Sequence, residues 1–280
     1  YYRNTNDLLT QVVSAQPALS PFVWRNLDAD IINKGFEIGL NTIIVDKKDF
    51  GFDINLNAAF NKNIVENLLG VYNTGAINGQ GLTGAFAQRI ASGQPINAWF
   101  LREFGGYDDQ GVTVYPNGDF QSFLDGKSPN PTVTGGLTLN VRYKSFDLST
   151  FFNGVYGHYI YSNNANAFFT KGSFANGRNV TRDVVSSKEG PLNAPDVSTR
   201  FLEKGDFTRL ANLNLGYRVK TNSKNINSLK FFISGQNLLL FTKYSGQDPE
   251  VNTNKQINGV PSFGIDYTAY PRAKTVTFGG

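Results

Sequence analysis

Apolar and polar side chains alternate with a period of two residues along several stretches of the chain. The stretch RLANLNLGYRV at 209–219 is a clear case. One side of it carries Ala211, Leu213, Leu215, Tyr217 and Val219, and the other carries Asn212, Asn214, Gly216 and Arg218. Because an extended strand points successive side chains to opposite faces, the pattern predicts a β-strand with one apolar and one polar face. It fits a soluble sandwich, whose apolar face covers a core, and a membrane barrel, whose apolar face contacts lipid.

The same alternation recurs often enough to predict roughly 8–10 strands, which makes the chain all-β. It is found at 36–44, 52–60, 137–143, 146–156, 229–237 and 273–280. Several of these strands reach the ~9–11 residues that a tilted membrane-spanning strand needs. A short amphipathic helix is predicted at 63–69, where the sequence reads NIVENLL.

The segments between the predicted strands are short and long in turn. Short polar turns are predicted at 45–49, 143–145 and 220–228. Long stretches rich in Gly, Asn and Pro lie at 61–83, 100–130, 157–205 and 242–271. Outer-membrane barrels show this asymmetry, with tight periplasmic turns and large extracellular loops, whereas structureless loops of this length are uncommon in compact domains. The connections therefore favour an antiparallel transmembrane β-barrel segment with long extracellular loops.

Composition supports the barrel and excludes other classes. Charged residues make up 17% of the chain, whereas about 25% is usual in soluble proteins. The polar faces carry Asn, Ser, Thr and Gly, which suit an enclosed lumen, and the apolar faces are rich in Phe, Tyr and Leu. The absence of Cys excludes disulfide and thiol chemistry. No basic run exceeds Lys47–Lys48, so a nucleic-acid partner is not expected.

Four long motifs in the second half of the chain resemble SusC/RagA-type TonB-dependent outer-membrane transporters. They are NPTVTGGLTLNVRYKSFDLSTFFNGVYGHYIY at 130–161, TRFLEKGDFTRLANLNLGYRV at 199–219, SGQNLLLFTKYSGQDPEVN at 234–252 and GIDYTAYPRAKTVTFG at 264–279. The segments at 33–40 and 49–63 are similar to the middle of the same family's barrel. The resemblance implies that residues 1–280 form the C-terminal part of a barrel of ~22 strands. The family's plug domain and N-terminal barrel strands are not found in this sequence.

The resemblance also implies a function and partners. The expected function is active import of an oligosaccharide or peptide across the outer membrane of a Gram-negative, Bacteroidota-type cell. A SusD-like surface lipoprotein would cover the barrel, and the TonB complex would act through the missing N-terminal part. A passive porin or structural outer-membrane barrel is the first alternative, and a soluble glycan-binding β-sandwich is the second. An enzyme is not expected, because no nucleophile–base set or spaced carboxylate pair stands out.

Two loop segments contain the aromatic and planar polar groups that a carbohydrate or peptide site would use. The candidate substrate-binding residues are Trp99, Arg102, Tyr107, Asp108 and Asp109 in the segment 96–111, and Tyr159, Tyr161, Asn163 and Asn164 in the segment 157–169. Each of them could instead pack within a loop or belong to an aromatic girdle. No catalytic residue, metal or cofactor is expected. His158 has no ligand or triad partners, and Asp108–Asp109, Asp248 and Glu250 are interpreted as solvated turn residues rather than as a structural calcium site.

Overall fold

The computed structural model describes residues 1–15, 17–79, 81–193, 196–223 and 225–280. Its strands are β1 (Tyr2–Thr5), β2 (Leu8–Val13), β3 (Phe22–Leu27), β4 (Asp30–Asp46), β5 (Phe50–Glu66), β6 (Tyr72–Ala76), β7 (Phe86–Ile90), β8 (Ala98–Leu101), β9 (Ser122–Phe123), β10 (Val133–Tyr143), β11 (Phe146–Tyr156), β12 (Tyr159–Ser162), β13 (Leu202–Lys204), β14 (Phe207–Lys220), β15 (Ser228–Thr242), β16 (Ile265–Asp266) and β17 (Thr275–Gly279). Its helices are α1 (Asn163–Phe168), α2 (Lys171–Ala175), α3 (Arg182–Ser186) and a 3₁₀ turn at Thr199–Phe201. None of the described helices has the length and apolar character needed to cross a membrane.

One antiparallel sheet of eight strands dominates the structure, in the order β1-β4-β5-β10-β11-β14-β15-β17. Its strand register lines up apolar residues across seven strands. One such row consists of Val45, Phe52, Val141, Leu148, Leu215, Ile233 and Phe278. The apolar face is exposed rather than sealed in a core, since Phe36 exposes 56% of its surface, Leu40 49% and Phe278 72%. A soluble sandwich would bury these side chains against a second sheet.

Two sets of aromatic residues mark the limits of the apolar face. At the end with the short turns, five aromatics lie directly opposite one another on successive strands, namely Phe50, Tyr143, Phe146, Tyr217 and Phe231. Ten residues further along three of these strands lie Phe60, Tyr156 and Phe241. Ten residues of strand rise about 33 Å, which at a tilt of about 40° spans about 25 Å, the height of the apolar band of an outer-membrane barrel.

The opposite face of the sheet is lined by short polar side chains. One row consists of Asp53, Asn140, Ser149, Asn214, Ser234 and Thr277. Within it, Asn140 Nδ2 donates to Asp53 Oδ2 at 2.7 Å, and Ser149 Oγ donates to Asn140 Oδ1 at 2.6 Å. These bonds satisfy polar groups side by side on neighbouring strands, which suits a crowded lumen.

The connections between the strands of the main sheet are short at one end and long at the other, as the sequence predicts. The short ones span 47–49, 144–145 and 221–227. The long ones span 6–29, 67–132, 157–206 and 243–274. Lys224, in the predicted turn at 220–228, lies outside the described residues. The long connections are not structureless, because they contain strands β2, β3, β6–β9, β12, β13 and β16 and all three α-helices.

Two details of the sequence prediction are wrong. The helix predicted at 63–69 is instead the end of β5, where Asn63–Glu66 pair with Asp30–Asn33 of β4 before Asn67 turns the chain with φ 59°. The cross-strand pairing outweighs the local apolar spacing there. The alternation at 209–219 also breaks near Ala211, where the register of β14 shifts against both neighbours. This bulge returns Leu210 to the apolar face, opposite Phe152, and leaves Arg209 on the polar face.

We predict that a charge in the middle of the apolar face destabilises the protein while the same charge on the polar face does not. Leu56 lies between the two aromatic sets, and Asn55 is its neighbour on the polar face. In phosphatidylcholine vesicles, Leu56→Arg is expected to lower the free energy of unfolding by about 2–4 kcal/mol, the cost of a cation at the bilayer midplane. Denaturant titration measures this cost. Asn55→Arg is the matched control, and equal losses in both variants would contradict the assignment of the two faces.

Candidate functional site

Three of the long connections, 67–132, 157–206 and 243–274, fold together into one unit, here called the loop cap. They share a hydrophobic core. The first connection contributes Ile77, Ala87, Trp99, Leu101 and Leu124, the second contributes Tyr161, Val197 and Phe201, and the third contributes Ile265. Strand β12 of the second connection also pairs with β16 of the third. Burial of this apolar surface ties the three connections to one another at one end of the main sheet.

The two predicted binding segments, 96–111 and 157–169, meet inside the loop cap. The rings of Trp99 and Tyr161 pack with their centroids 6.0 Å apart. Both side chains are fully buried, as is Asn163. The side-chain amide of Asn163 accepts a hydrogen bond from the backbone N–H of Asn78 at 3.0 Å and donates one to the backbone carbonyl of Asn78. In this conformation Trp99, Tyr161 and Asn163 therefore present no surface to a ligand and hold the loops together.

The other predicted residues of the first segment lie nearer the surface. Arg102 pairs with Asp196 at 3.3 Å. Asp108 closes a turn, because its Oδ1 accepts hydrogen bonds from the backbone N–H groups of Gln110 and Val112 at 3.0 and 2.8 Å. Asp109 is exposed. Asp108 and Asp109 therefore lie in a turn.

Tyr107 lies beside a buried ion pair. The guanidinium of Arg200 is 5.4 Å from the centre of the Tyr107 ring. Burial raises the pKa of Tyr107 to about 12, although the charge of Arg200 opposes the rise. Arg200 itself donates two hydrogen bonds of 2.7 Å to Glu189, whose side chain has no exposed surface.

Glu189 is held ionised by its surroundings. Burial alone would raise the pKa of its carboxyl group, but the hydrogen bonds from Arg200, from the backbone N–H of Lys171 and from Asn193 outweigh burial. The pKa of Glu189 therefore lies below its ordinary value. This arrangement fixes the segment that contains α2 and α3 to the rest of the loop cap.

A cavity of about 920 Å³, here called the loop cavity, opens between the second and third connections. Its lining includes Asn164, Glu203, Ser245, Asp266 and Tyr270. Asp266 Oδ1 accepts a hydrogen bond from Asn164 Nδ2 at 3.0 Å, and its Oδ2 accepts one from Tyr244 at 2.7 Å. Glu203 accepts hydrogen bonds from the backbone and the hydroxyl of Ser245 at 2.9 and 2.6 Å.

The loop cavity therefore presents carboxylates and amides, with an exposed aromatic ring from Tyr270 at its border. Burial raises the pKa of Asp266, and the nearby carboxylates of Asp248 and Glu203 add to the rise, while Tyr244 and Asn164 oppose it. Carboxylate oxygens accept hydrogen bonds from hydroxyl and amine groups. Of the nine predicted substrate-binding residues, Asn164 is the one that lines the loop cavity.

A second cavity of about 1020 Å³ lies on the polar face of the main sheet, beneath the loop cap. Its polar lining includes Asn33, Asn61, Asn63 and Asn130, together with charged residues such as Arg3 and Lys127. Asn63 accepts a hydrogen bond from the backbone of Ile96 at 2.7 Å and donates to Asn33 at 2.8 Å. Side chains of the sheet and backbone of the loops therefore share one hydrogen-bonded lumen surface.

Asp248 and Glu250 are not solvated turn residues. Asp248 is buried and lies 2.6 Å from Arg209, the residue that the bulge in β14 turns to the polar face. Glu250 pairs with Arg209 at 2.8 Å and with Arg272 at 3.2 Å. Two arginines thus neutralise the two carboxylates, and the cluster ties the third connection to the sheet. The described residues contain no group of three or more His, Cys, Asp or Glu side chains that could hold a metal ion, and the expectation that the protein binds no metal stays a prediction.

His158 and Tyr159 complete the set of residues that the sequence singles out. His158 is buried at the start of the second connection, and burial lowers its pKa while Asp206 opposes this. Tyr159 is half-buried and packs against the loop-cap core. Sequence reasoning missed Glu203, Tyr244 and Asp266 as site residues, although each lies within one of the quoted family motifs.

Comparison with known proteins identifies relatives over nearly the whole chain, although no protein-family model matches it. TonB-dependent receptor P3 of Formosa agariphila is 27% identical, covering 89% of this chain and 28% of the relative. TonB-dependent receptor P26 of the same organism is 27% identical over 100% of this chain and 32% of its own length. TonB-dependent receptor SusC of Bacteroides thetaiotaomicron is 27% identical over 100% of this chain and 29% of its own length.

Solved structures of RagAB are among those that match. The structure of the RagAB peptide transporter matches with a TM-score of 0.77 and 22% identity, covering 99% of this chain and 32% of that one. The RagAB peptide importer in the 'closed-closed' state matches with a TM-score of 0.78 and 22% identity. The chain thus spans about three tenths of the length of these proteins. The comparisons confirm the resemblance to SusC/RagA-type receptors, the antiparallel barrel class and the outer-membrane location, and these relatives are receptors and transporters rather than enzymes.

We predict that the buried Arg200–Glu189 pair stabilises the loop cap far more than an exposed pair does. Arg200→Gln leaves the buried carboxylate without its partner and is expected to cost about 3–5 kcal/mol in local opening. Arg142→Gln, which breaks the exposed Arg142–Asp46 pair of 2.9 Å, is expected to cost about 0–1 kcal/mol. Hydrogen exchange of the backbone amides at 157–193 measures the first cost, and that of the turn at 47–49 measures the second.

The stabilisation by Glu189 also depends on pH. Because its folded-state pKa lies below the ordinary value of 4.5, its contribution is complete above that value and is lost as the pH falls through the folded-state pKa. Hydrogen exchange in the segment 171–193 is therefore expected to accelerate in the wild-type protein as the pH is lowered through this range, after correction for the intrinsic exchange rate. An unchanged protection factor across this range would contradict the assignment.

Proposed function

We propose that this chain forms part of the wall and the extracellular mouth of a TonB-dependent outer-membrane importer for an oligosaccharide or a peptide. The observation that carries the proposal is the loop cap, which joins three long connections over the polar face of the sheet and borders two large cavities that contain polar side chains. A lipid-facing band about 25 Å high, with a polar lumen behind it, is the framework that such an importer needs. The names of the relatives, TonB-dependent receptor and peptide transporter, support the same function.

Residues 1–280 would form the C-terminal part of the barrel in a longer protein whose other part includes the plug. Energy would then reach the barrel through the plug, which the TonB complex contacts. A SusD-like surface lipoprotein would cover the mouth on the side of the loop cap. Support for this partner comes from the similarity to SusC and to RagAB, and from the placement of every long connection of the main sheet at one end.

The loop cavity is the part of the mouth that we propose to contact substrate. Its carboxylates and amides accept and donate hydrogen bonds, and the ring of Tyr270 is exposed beside them. This chemistry fits the hydroxyl groups of a sugar and the amine and amide groups of a peptide. Asn164 is the predicted residue that we place there, and Arg102, Tyr107, Asp108, Asp109 and Tyr159 stay candidates for contacts at the surrounding surface.

Uptake by cells tests the proposal. Cells that produce the full-length protein are expected to take up a fluorescent oligosaccharide or peptide, and an uncoupler of the proton gradient is expected to abolish the uptake. Glu203→Gln removes a carboxylate from the loop cavity and is expected to lower uptake at limiting substrate about tenfold, the loss of one charge-assisted hydrogen bond. Lys48→Gln, in a turn at the opposite end, is the control and is expected to have no effect.

Two results would contradict the proposal. Uptake that continues with the uncoupler, together with swelling of liposomes that contain the purified protein, would show a passive pore. Equal uptake by the Glu203→Gln variant and the wild type would remove the loop cavity from the substrate path. Stable co-purification of a surface lipoprotein with the full-length protein is the expected result for the partner.

A further inference from the structure

The apolar face of the sheet ends, on the side of the loop cap, with a pair of lysines directly opposite each other. Lys34 on β4 pairs with Lys62 on β5, and Tyr2 on the edge strand β1 is opposite Lys34. The register of these strands is regular from Asp30 to Ile43, so both lysines share the face that carries Phe36 and Phe60. Both lysine side chains are exposed.

The depth of the lysine pair places it at the headgroups of the membrane. Phe36 and Phe60 are opposite each other and stack with their ring centroids 4.5 Å apart. Phe60 belongs to the aromatic set that ends the apolar band at the loop-cap side, and Phe36 lies directly opposite it. Lys34 and Lys62 are two residues further along their strands, which is about 7 Å beyond these rings. Aromatic girdles lie at the boundary between hydrocarbon and headgroups, so the ammonium groups lie among the headgroups of the outer leaflet.

Neither lysine has a counter-charge within the part of the chain that the structure describes. No hydrogen bond or ion pair joins either ammonium group to a described carboxylate. Asp30 and Glu66 share the same face but lie four residues further along the strands, roughly 13 Å away. Asp30 accepts hydrogen bonds from Asn4 at 2.9 Å and Asn67 at 2.6 Å. Like charges directly opposite each other destabilise a strand pair unless an anion lies between them.

We propose that Lys34 and Lys62 bind the phosphate of a lipid headgroup in the outer leaflet, with the hydroxyl of Tyr2 as a further donor. Two cations at the spacing of a directly opposed strand pair match the charge of one phosphate monoester. The acyl chains of the same lipid would lie on the apolar surface that begins at Phe36 and Phe60. The inference rests on the membrane-facing assignment of this surface and not on transport, so it can fail while the proposed import function holds.

Lipid binding to the full-length protein tests the inference. The delipidated protein in dodecyl maltoside is titrated with dioleoyl phosphatidic acid and, in parallel, with dioleoylglycerol, which has the same acyl chains without phosphate. Native mass spectrometry counts the bound lipids. The wild-type protein is expected to bind phosphatidic acid at least tenfold more tightly than dioleoylglycerol. The Lys34→Gln/Lys62→Gln variant is expected to lose this preference, and Lys34→Arg/Lys62→Arg is expected to keep it.

The control variant, Lys47→Gln/Lys48→Gln, removes two lysines from a turn at the other end of the sheet and is expected to bind like the wild type. Heat-modifiable gel mobility confirms that each variant is folded. If the Lys34→Gln/Lys62→Gln variant does not fold, the two single variants are used, and each is expected to lose most of the preference for phosphate.

Four results would overturn the inference. The first is equal binding of phosphatidic acid by the Lys34→Gln/Lys62→Gln variant and the wild type. The second is equal binding of phosphatidic acid and dioleoylglycerol by the wild type. The third is displacement of the lipid by inorganic phosphate at a comparable concentration, which would make the lysine pair a site for free phosphate. A loss of preference in Lys47→Gln/Lys48→Gln as large as in Lys34→Gln/Lys62→Gln would likewise show that net charge alone is responsible.

Discussion

The whole structure depends on one constraint, which is that each long strand has a different environment on each of its two faces. The register keeps apolar residues opposite apolar residues across the sheet, as in the row from Val45 to Phe278. A slip of one residue would exchange the two faces, so the register is strongly specified. The bulge near Ala211 shows how the constraint is relaxed locally. It turns Arg209 to the polar face, where the guanidinium pairs with Asp248 of the connection 243–274.

The loop cap has a hydrophobic core of its own, outside the membrane-spanning sheet. Trp99 and Tyr161 hold separate connections together by packing, and Arg209 fixes the third connection to the sheet through Asp248. The consequence for function is that Trp99 and Tyr161 are buried in the loop cap and present no surface to a ligand. Polar side chains outside the core, such as those of Asn164 and Glu203, line the loop cavity instead.

Buried charges in the loop cap are of two kinds. Glu189 is fully compensated by Arg200 and by amide donors, so its negative charge stabilises the fold. Among the described residues, a phenol and an amide donate hydrogen bonds to Asp266. Burial raises its pKa, and the nearby carboxylates add to the rise. The first arrangement is that of a structural ion pair, and the second is that of a buried carboxylate in the lining of a cavity, with neutral groups as its described hydrogen-bond partners. This difference between Glu189 and Asp266 is the physical reason why we propose that substrate contacts the loop cavity and not the region around Glu189.

The sequence by itself determined the two-faced strands, the alternation of short and long connections and the resemblance to outer-membrane receptors, because side-chain alternation and turn composition are local properties of the chain. Only the tertiary structure decided which loop residues are buried in the core of the loop cap and which border a cavity. Trp99 and Asn164 look equally suited to a ligand in the sequence, but Trp99 is buried against Tyr161 whereas Asn164 borders a cavity. Long-range pairing also extended β5 over a segment with helical spacing and placed Lys34 opposite Lys62. Burial and register depend on contacts between residues far apart in the chain, and no local pattern records them.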